Sequence, residues 1–185
     1  MKKKLYMLMA ILILTLISGC FARFTPSERV EDMFNRYIKN DKDIVDELDA
    51  YMGEQNLSSE QKDKYKEIIK SEYATIKYDI KDEQIDGDEA VVEVQIEVTD
   101  LYKASKDAGD YLSKNAKEFY TDGAYDRSKF IDFKLDKMEK TEETVSYTID
   151  IDLTLKDGLW TIEQLNNDTL EKIHGIYDYE NDKNS

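Results

Sequence analysis

Cysteine, proline, histidine and tryptophan each occur once among the 185 residues of this chain, and glycine occurs only seven times. A single histidine, His174, excludes a multi-histidine metal site and a conventional catalytic triad. With so few glycines, a glycine-rich phosphate-binding loop is not expected, and no Walker-type, GxSxG or dinucleotide-binding motif occurs. We therefore expect no cofactor, no metal site and no catalytic residues, and an ordinary hydrophobic core as the source of stability.

Long apolar runs are also scarce, with one exception at the start of the chain. Three lysines precede the almost uninterrupted apolar run Leu5–Ile17, and Ser18, Gly19 and Cys20 follow it. The run of about 13 residues has the length of the apolar part of a secretory signal. The alternative interpretation is a membrane-spanning anchor, which needs roughly 20 residues. The pattern resembles a bacterial lipoprotein signal with its lipobox, which implies removal of residues 1–19 and diacylation of Cys20.

Lipidation of the only cysteine would leave no thiol for a disulfide, a zinc site or catalysis. It would hold the protein at the outer face of the cytoplasmic membrane through the lipid on Cys20. Loss of residues 1–19, which carry three lysines and no acidic residue, would change the formal charge from −15 to −18. Such a charge repels nucleic acids and anionic headgroups and favours a neutral or basic partner.

The rest of the chain shows no long linker and no repeat, and its length fits one domain. We expect a short tether at 20–26, a single α+β domain at 27–176 and a polar C-terminal tail at 177–185. Apolar residues recur at helical spacing in three early helices, the first with Ser27 as its N-cap and the third opened by Ser58. The apolar positions of the third helix are Tyr65, Ile68, Ile69 and Tyr73.

Two segments then alternate with the period of half-buried strands and predict antiparallel hairpins. The first hairpin turns at Asp86-Gly87-Asp88 and the second at Asp157-Gly158. The inward positions are Ile76, Tyr78, Ile80, Val92, Val94, Ile96 and Val98 in the first hairpin and Val145, Tyr147, Ile149, Ile151, Leu153, Leu155, Trp160 and Ile162 in the second.

The segment between the hairpins has helical spacing from Leu101 to Tyr120. Residues 126–139 fit a helix or a strand, and we expect a helix. Residues 169–174 predict a closing helical turn capped by Gly175, with His174 placed to interact with the helix dipole. Helices on one face of a curved antiparallel sheet of about four strands make an α+β fold.

Several segments carry a family resemblance. They are the lipobox cysteine, the helix opened by 25–30, the strand 145–155 and the Asp157-Gly158-Leu159-Trp160 turn. The chain resembles small Gram-positive lipoproteins of the nuclear transport factor 2-like, cystatin-like superfamily. The resemblance implies a cone-shaped sheet wrapped around helices, often with a cavity at its open end, and it implies no particular activity.

Two groups of acidic residues invite a functional interpretation that we do not favour. Asp82, Asp86, Gly87 and Glu93 approach the spacing of a calcium loop, but Gln84 replaces a usual ligand and both flanks alternate like strands. An ordinary solvated hairpin is expected instead. Asp150 and Asp152 share one face of their strand, where alternation predicts solvent exposure rather than acid–base chemistry.

The aromatic residues provide the candidate binding site. Tyr78, Tyr147 and Trp160 fall on inward strand positions, where we expect them to share one end of the sheet, and Tyr37 and Tyr111 lie on apolar helix stripes. These residues favour a noncatalytic module that binds a small apolar or cationic ligand or an envelope protein. The alternatives are an isomerase or dehydratase with a buried carboxylate, and an acidic inhibitor or immunity protein that covers a basic partner.

Overall fold

The computed structural model describes residues 24–182, which form an α+β domain with helices on one face of an antiparallel sheet. This confirms the predicted fold class. The helices in this range are α1 (Pro26–Ile38), α2 (Lys42–Glu54), α3 (Ser59–Tyr73), α4 (Leu101–Lys114), α5 (Arg127–Glu139), α6 (Asn167–Ile173) and α7 (Tyr179–Asp182). The strands are β1 (Lys77–Asp86), β2 (Glu89–Thr99), β3 (Tyr120–Thr121), β4 (Ala124–Tyr125), β5 (Thr144–Lys156) and β6 (Leu159–Ile162).

The main sheet has the order β1-β2-β5-β6, and every neighbouring pair is antiparallel. Both predicted hairpins are confirmed. The second turns through Asp157 and Gly158, whose φ angles of +51° and +77° are those of a tight two-residue hairpin turn. In the first hairpin Asp86 pairs with Glu89 across the turn, where Gly87 has a φ of +63°.

The inward and outward strand positions also agree with the alternation. Val92, Val94 and Ile96 are fully buried beneath the helices, whereas the intervening Glu93 lies on the exposed face. Glu93 stands opposite Asp82 on β1 and opposite Asp150 on β5, so the calcium-loop segment is an ordinary hairpin. One face of the sheet therefore carries the core and the other faces solvent.

Helix α1 begins two residues earlier than the predicted cap implied. Thr25 is the N-cap, in a capping box with Glu28, and Pro26 occupies the first turn. Ser27 has another role, because its backbone N–H and its hydroxyl donate to the Glu83 carboxylate at 2.8 and 2.6 Å. A bulge between Ile80 and Asp82 shifts the register of β1 and places Glu83 opposite the buried Val92.

Helix α3 is joined to α5 by a buried polar side chain. Ser58 caps α3 as predicted, in a capping box with Gln61. The Gln61 side-chain amide, only 5% exposed, donates to the Ser128 carbonyl and hydroxyl at 3.2 and 3.0 Å and to Asp132 at 2.8 Å. These bonds fix the start of α5, and the segment 126–139 forms a helix as expected, with Asp126 as its N-cap.

Two parts of the expected secondary structure are wrong. Helix α4 ends at Lys114 rather than near residue 120, and a small β3-β4 hairpin follows, with its turn at Asp122 and Gly123. The packed structure also continues beyond residue 176, where a polar tail was expected. Tyr177 is 7% exposed with its ring 5.8 Å from that of Tyr147, and the Tyr179 hydroxyl donates to the buried Asp100 carboxylate at 3.0 Å.

Candidate functional site

The five aromatic residues proposed for a binding pocket lie in separate places. Tyr78 stacks on Phe34 of α1 with ring centroids 5.0 Å apart, and Tyr37 packs edge-on against Tyr73. Tyr111, 37% exposed, donates its hydroxyl hydrogen to Glu118, four residues beyond the end of α4. The structure therefore does not gather these aromatic side chains around one cavity.

Trp160 and Tyr147 occupy opposite ends of the sheet. Trp160 pairs with Leu155, eight residues along β5 from Tyr147, a separation of about 27 Å at the usual rise of a strand. Tyr147 and Tyr78 do share a row, on either side of Ile96. The expectation that all three share one end was wrong because β5 extends 13 residues and only its last part pairs with β6.

A cavity of about 420 Å³ lies at the end of the sheet where β2 finishes and β5 begins. The last turns of α3 and the end of α5 close its other sides. Ile68, Val98, Leu101 and Met138 supply its apolar wall. Its polar lining consists of Glu67, Ser71, Glu72, Thr75, Lys77, Glu97, Thr99, Glu139, Thr141, Glu142 and Thr144. The volume is that of a small-molecule site.

Glu72 is the unusual residue of this cavity. It is 3% exposed, and neither oxygen of its carboxyl group has a hydrogen-bond partner among the described residues. Burial raises the pKa of the Glu72 carboxyl well above its ordinary value, opposed in part by the Thr99 backbone amide, which lies close but without hydrogen-bond geometry. The carboxyl group of Glu72 is thus neutral over a wider pH range than an exposed one.

The other charged residues of the cavity are exposed or paired with neighbours. Lys77 contacts Glu97 at 2.6 Å, Lys70 contacts Glu67 at 2.9 Å, and Lys64 contacts Glu139 at 3.0 Å. Glutamates outnumber lysines by five to one in the lining. The cavity therefore has a rim of four glutamates, three of them paired with a lysine, around one buried carboxyl group without a partner.

Sequence reasoning missed Glu72 because only strand carboxylates were checked against the apolar face. The signal was present in the third helix. Glu72 is four residues after Ile68 and three after Ile69, so it lies within the apolar stripe that ends at Tyr73. An ionisable residue on such a stripe predicts either a buried partner or a functional group.

His174 differs from its expected role at a helix C-terminus. The C-cap position is confirmed, and Gly175 follows with a φ of +68°. Its ring, however, packs against Tyr73 and Tyr51 with centroid distances of 5.6 and 6.2 Å. Burial lowers the pKa of His174 to about 4, so the imidazole is neutral at pH 7 and lacks the charge that the helix dipole would stabilise.

Within residues 24–182, no group of three or more His, Cys, Asp or Glu side chains is placed to hold a metal ion. No helix in that range is long and apolar enough to cross a bilayer. Cys20 and the signal segment lie outside the described residues, so their assignment remains a prediction from sequence.

Comparison with known proteins gives little about family. No family model and no curated protein sequence matches the chain. Among solved structures it is similar to a provisionally assigned lipoprotein (YcdA) from Bacillus subtilis subsp. subtilis str. 168, with 17% identity and a TM-score of 0.42. The match covers 84% of this chain and 48% of the other, so this chain spans about half of that length. The nuclear transport factor 2-like assignment remains a prediction.

Proposed function

We propose that this chain is a lipid-anchored protein of the outer face of the cytoplasmic membrane that binds a small ligand without transforming it. The anchor is the lipid expected on Cys20, and the ligand site is the cavity lined by Glu72. The observation that carries the binding proposal is the buried Glu72 carboxyl group, which has no partner and borders a cavity of about 420 Å³. A buried polar group without a partner costs free energy that a ligand can recover.

Glu72 also provides the buried carboxylate that an isomerase or dehydratase would need. Acid–base catalysis of that kind requires a second group to stabilise or protonate the reacting oxygen. Among the described residues, the cavity lining includes no tyrosine or histidine, and its one lysine, Lys77, is paired with Glu97. We therefore favour binding over catalysis. The aromatic residues expected to form a pocket lie apart, so they support neither function.

Anchoring is tested by intact mass of the membrane-extracted protein. We expect residues 1–19 to be absent and a diacylglycerol to be present on Cys20, and we expect Cys20→Ala to leave an unprocessed precursor. A secreted chain without lipid, or one cut elsewhere, would contradict the anchor and leave the binding proposal intact.

Binding is tested by a thermal-shift screen of small cationic, neutral and anionic molecules on the full chain. Ser71→Trp places a large side chain at an exposed lining position and should abolish the hits, whereas Ser113→Trp, at an exposed serine of α4 outside the lining, should not. Hits that survive Ser71→Trp would place the site elsewhere, and a screen without hits would count against a binding role.

A further inference from the structure

The charges of the cavity select the class of molecule that it can bind. Resting on the function proposed above, we propose that the ligand is an organic cation with N–H donors, a primary ammonium or a guanidinium, which binds the Glu72 carboxylate while its hydrocarbon part lies on the apolar wall. Three features of the cavity support this class of ligand, and each excludes a different alternative.

The first feature is the hydrogen-bonding capacity of Glu72. Both carboxylate oxygens are buried and lack a partner in the described part of the chain, so up to four acceptor positions are unused. An ammonium group offers three donors and a guanidinium offers a planar pair, so either fits a carboxylate. A quaternary ammonium has no N–H donor and is usually held by aromatic rings, which the described lining does not include.

The second feature is the sign of the surrounding charge. Glu67 lies on the same helix as Glu72, Lys77 and Glu97 come from β1 and β2, and Glu139 and Glu142 come from the end of α5 and the following loop. The lysines beside them are held by rim glutamates rather than by Glu72. An anionic ligand would meet four rim glutamates, of which three are paired with a lysine and Glu142 is exposed, whereas a cation is attracted by the remaining negative charge.

The third feature is the apolar wall. Ile68, Val98, Leu101 and Met138 face the same space as Glu72, and together they suit a hydrocarbon chain of a few carbons. A bare divalent cation would leave this wall without a contact. It would also need several oxygen ligands, and no such metal-binding group is found in residues 24–182.

Binding of a cation should release a proton. Burial keeps the Glu72 carboxyl group neutral to a higher pH when the cavity is empty, and a bound cation favours the ionised form. Affinity should therefore increase with pH up to the pKa of Glu72 in the free protein and level off above it. The rim groups named above set the field in which this titration occurs.

The experiment compares matched probes by isothermal titration calorimetry with the full chain in detergent at pH 7.5. The probes are n-butylamine, n-butylguanidine, n-butanol, butyrate and calcium chloride. A charge-assisted hydrogen bond predicts at least about tenfold tighter binding of a cationic probe than of n-butanol, and no binding of butyrate. Which cation binds more tightly distinguishes an ammonium from a guanidinium ligand.

Glu72→Gln keeps the shape of the side chain and should bring the affinities for the cationic probe and for n-butanol to within about threefold of each other. Glu142→Gln removes an exposed rim charge and should preserve most of the preference. Equal binding of n-butylamine and n-butanol to the wild-type protein would overturn the cation class while leaving the cavity as the site. Calcium binding that displaces both cations would also overturn it, in favour of a metal site. The proposed binding function itself fails if the thermal-shift screen gives no hits, and hits that survive Ser71→Trp would place the site outside this cavity.

Discussion

The buried Glu72 carboxyl group should make the stability of the protein depend on pH in a way that one substitution removes. In the folded state the pKa of Glu72 is raised well above the value of 4.5 that it has when exposed. The folded protein therefore holds a proton that the unfolded chain has already lost. Between pH 4.5 and the raised pKa, this difference destabilises the folded state progressively as pH rises.

The magnitude follows from the linkage between proton binding and folding. Relative to Glu72→Gln, the wild-type protein should lose about 1.4 kcal/mol of unfolding free energy for each pH unit in that interval, and nothing further above it. Near pH 4.5 both side chains are uncharged and similar in volume, so the two proteins should differ by less than about 1.5 kcal/mol. Glu72→Gln should accordingly be the more stable protein at pH 8.

Urea denaturation followed by the fluorescence of Trp160 and by circular dichroism, at intervals from pH 4.5 to 8.5, measures this difference. Glu142→Gln, at an exposed position of the same cavity, should stay within about 0.5 kcal/mol of wild type throughout. A stability difference between wild type and Glu72→Gln that is constant over the whole interval would refute the burial and the missing partner that we assign to Glu72.

Three further predictions concern other parts of the fold. Gly175→Ala should lower the free energy of unfolding by more than about 2 kcal/mol, because its Cβ would lie 2.1 Å from the Thr99 carbonyl oxygen at a φ of +68°. Gly109→Ala meets nothing within 4 Å and should stabilise α4 by about 0.5 kcal/mol. Thermal denaturation of the two variants measures this ranking. Val94→Asp should cost about 3 kcal/mol or more and Glu93→Ala less than about 0.5 kcal/mol, and the reverse ranking in urea would mean that the strand faces are exchanged. Because the pKa of His174 falls from 6.5 to about 4 on folding, the protein should lose about 3 kcal/mol as pH decreases across that interval. His174→Leu should remove this loss, and equal acid sensitivity of the two proteins in urea titrations would contradict the burial that lowers the pKa.

The sequence predicted the elements whose patterns are local. Alternation identified β2 and β5 because each strand has one buried and one solvated face, and the Asp157-Gly158 turn fixed the second hairpin. The small β3-β4 hairpin was missed although Asp122-Gly123 is the same kind of turn signal, because strands of two residues leave no alternation to detect.

The candidate site could not be assembled from the sequence because its residues meet only through tertiary packing. Trp160 was placed beside Tyr147 on the assumption that hairpin partners lie close, but the length of β5 separates them. Glu72 and Thr99 are 27 positions apart and meet only where the end of α3 crosses the end of β2. Periodicity shows that Glu72 faces inward, and only the packing shows that no donor forms a hydrogen bond with it there.

Glu72 destabilises the folded state at high pH, because its buried carboxyl group retains a proton that the unfolded chain loses. His174 destabilises it at low pH, because its buried imidazole does not take up the proton that the unfolded chain binds. Only Glu72 borders the cavity of about 420 Å³ with two free acceptor oxygens, so only its penalty can be offset by a bound cation. A ligand that binds the folded state alone stabilises it by RT ln(1 + [L]/Kd). The stabilisation by a cationic ligand should therefore be larger at pH 8 than at pH 5, whereas a neutral ligand held by the apolar wall should stabilise the protein equally at both.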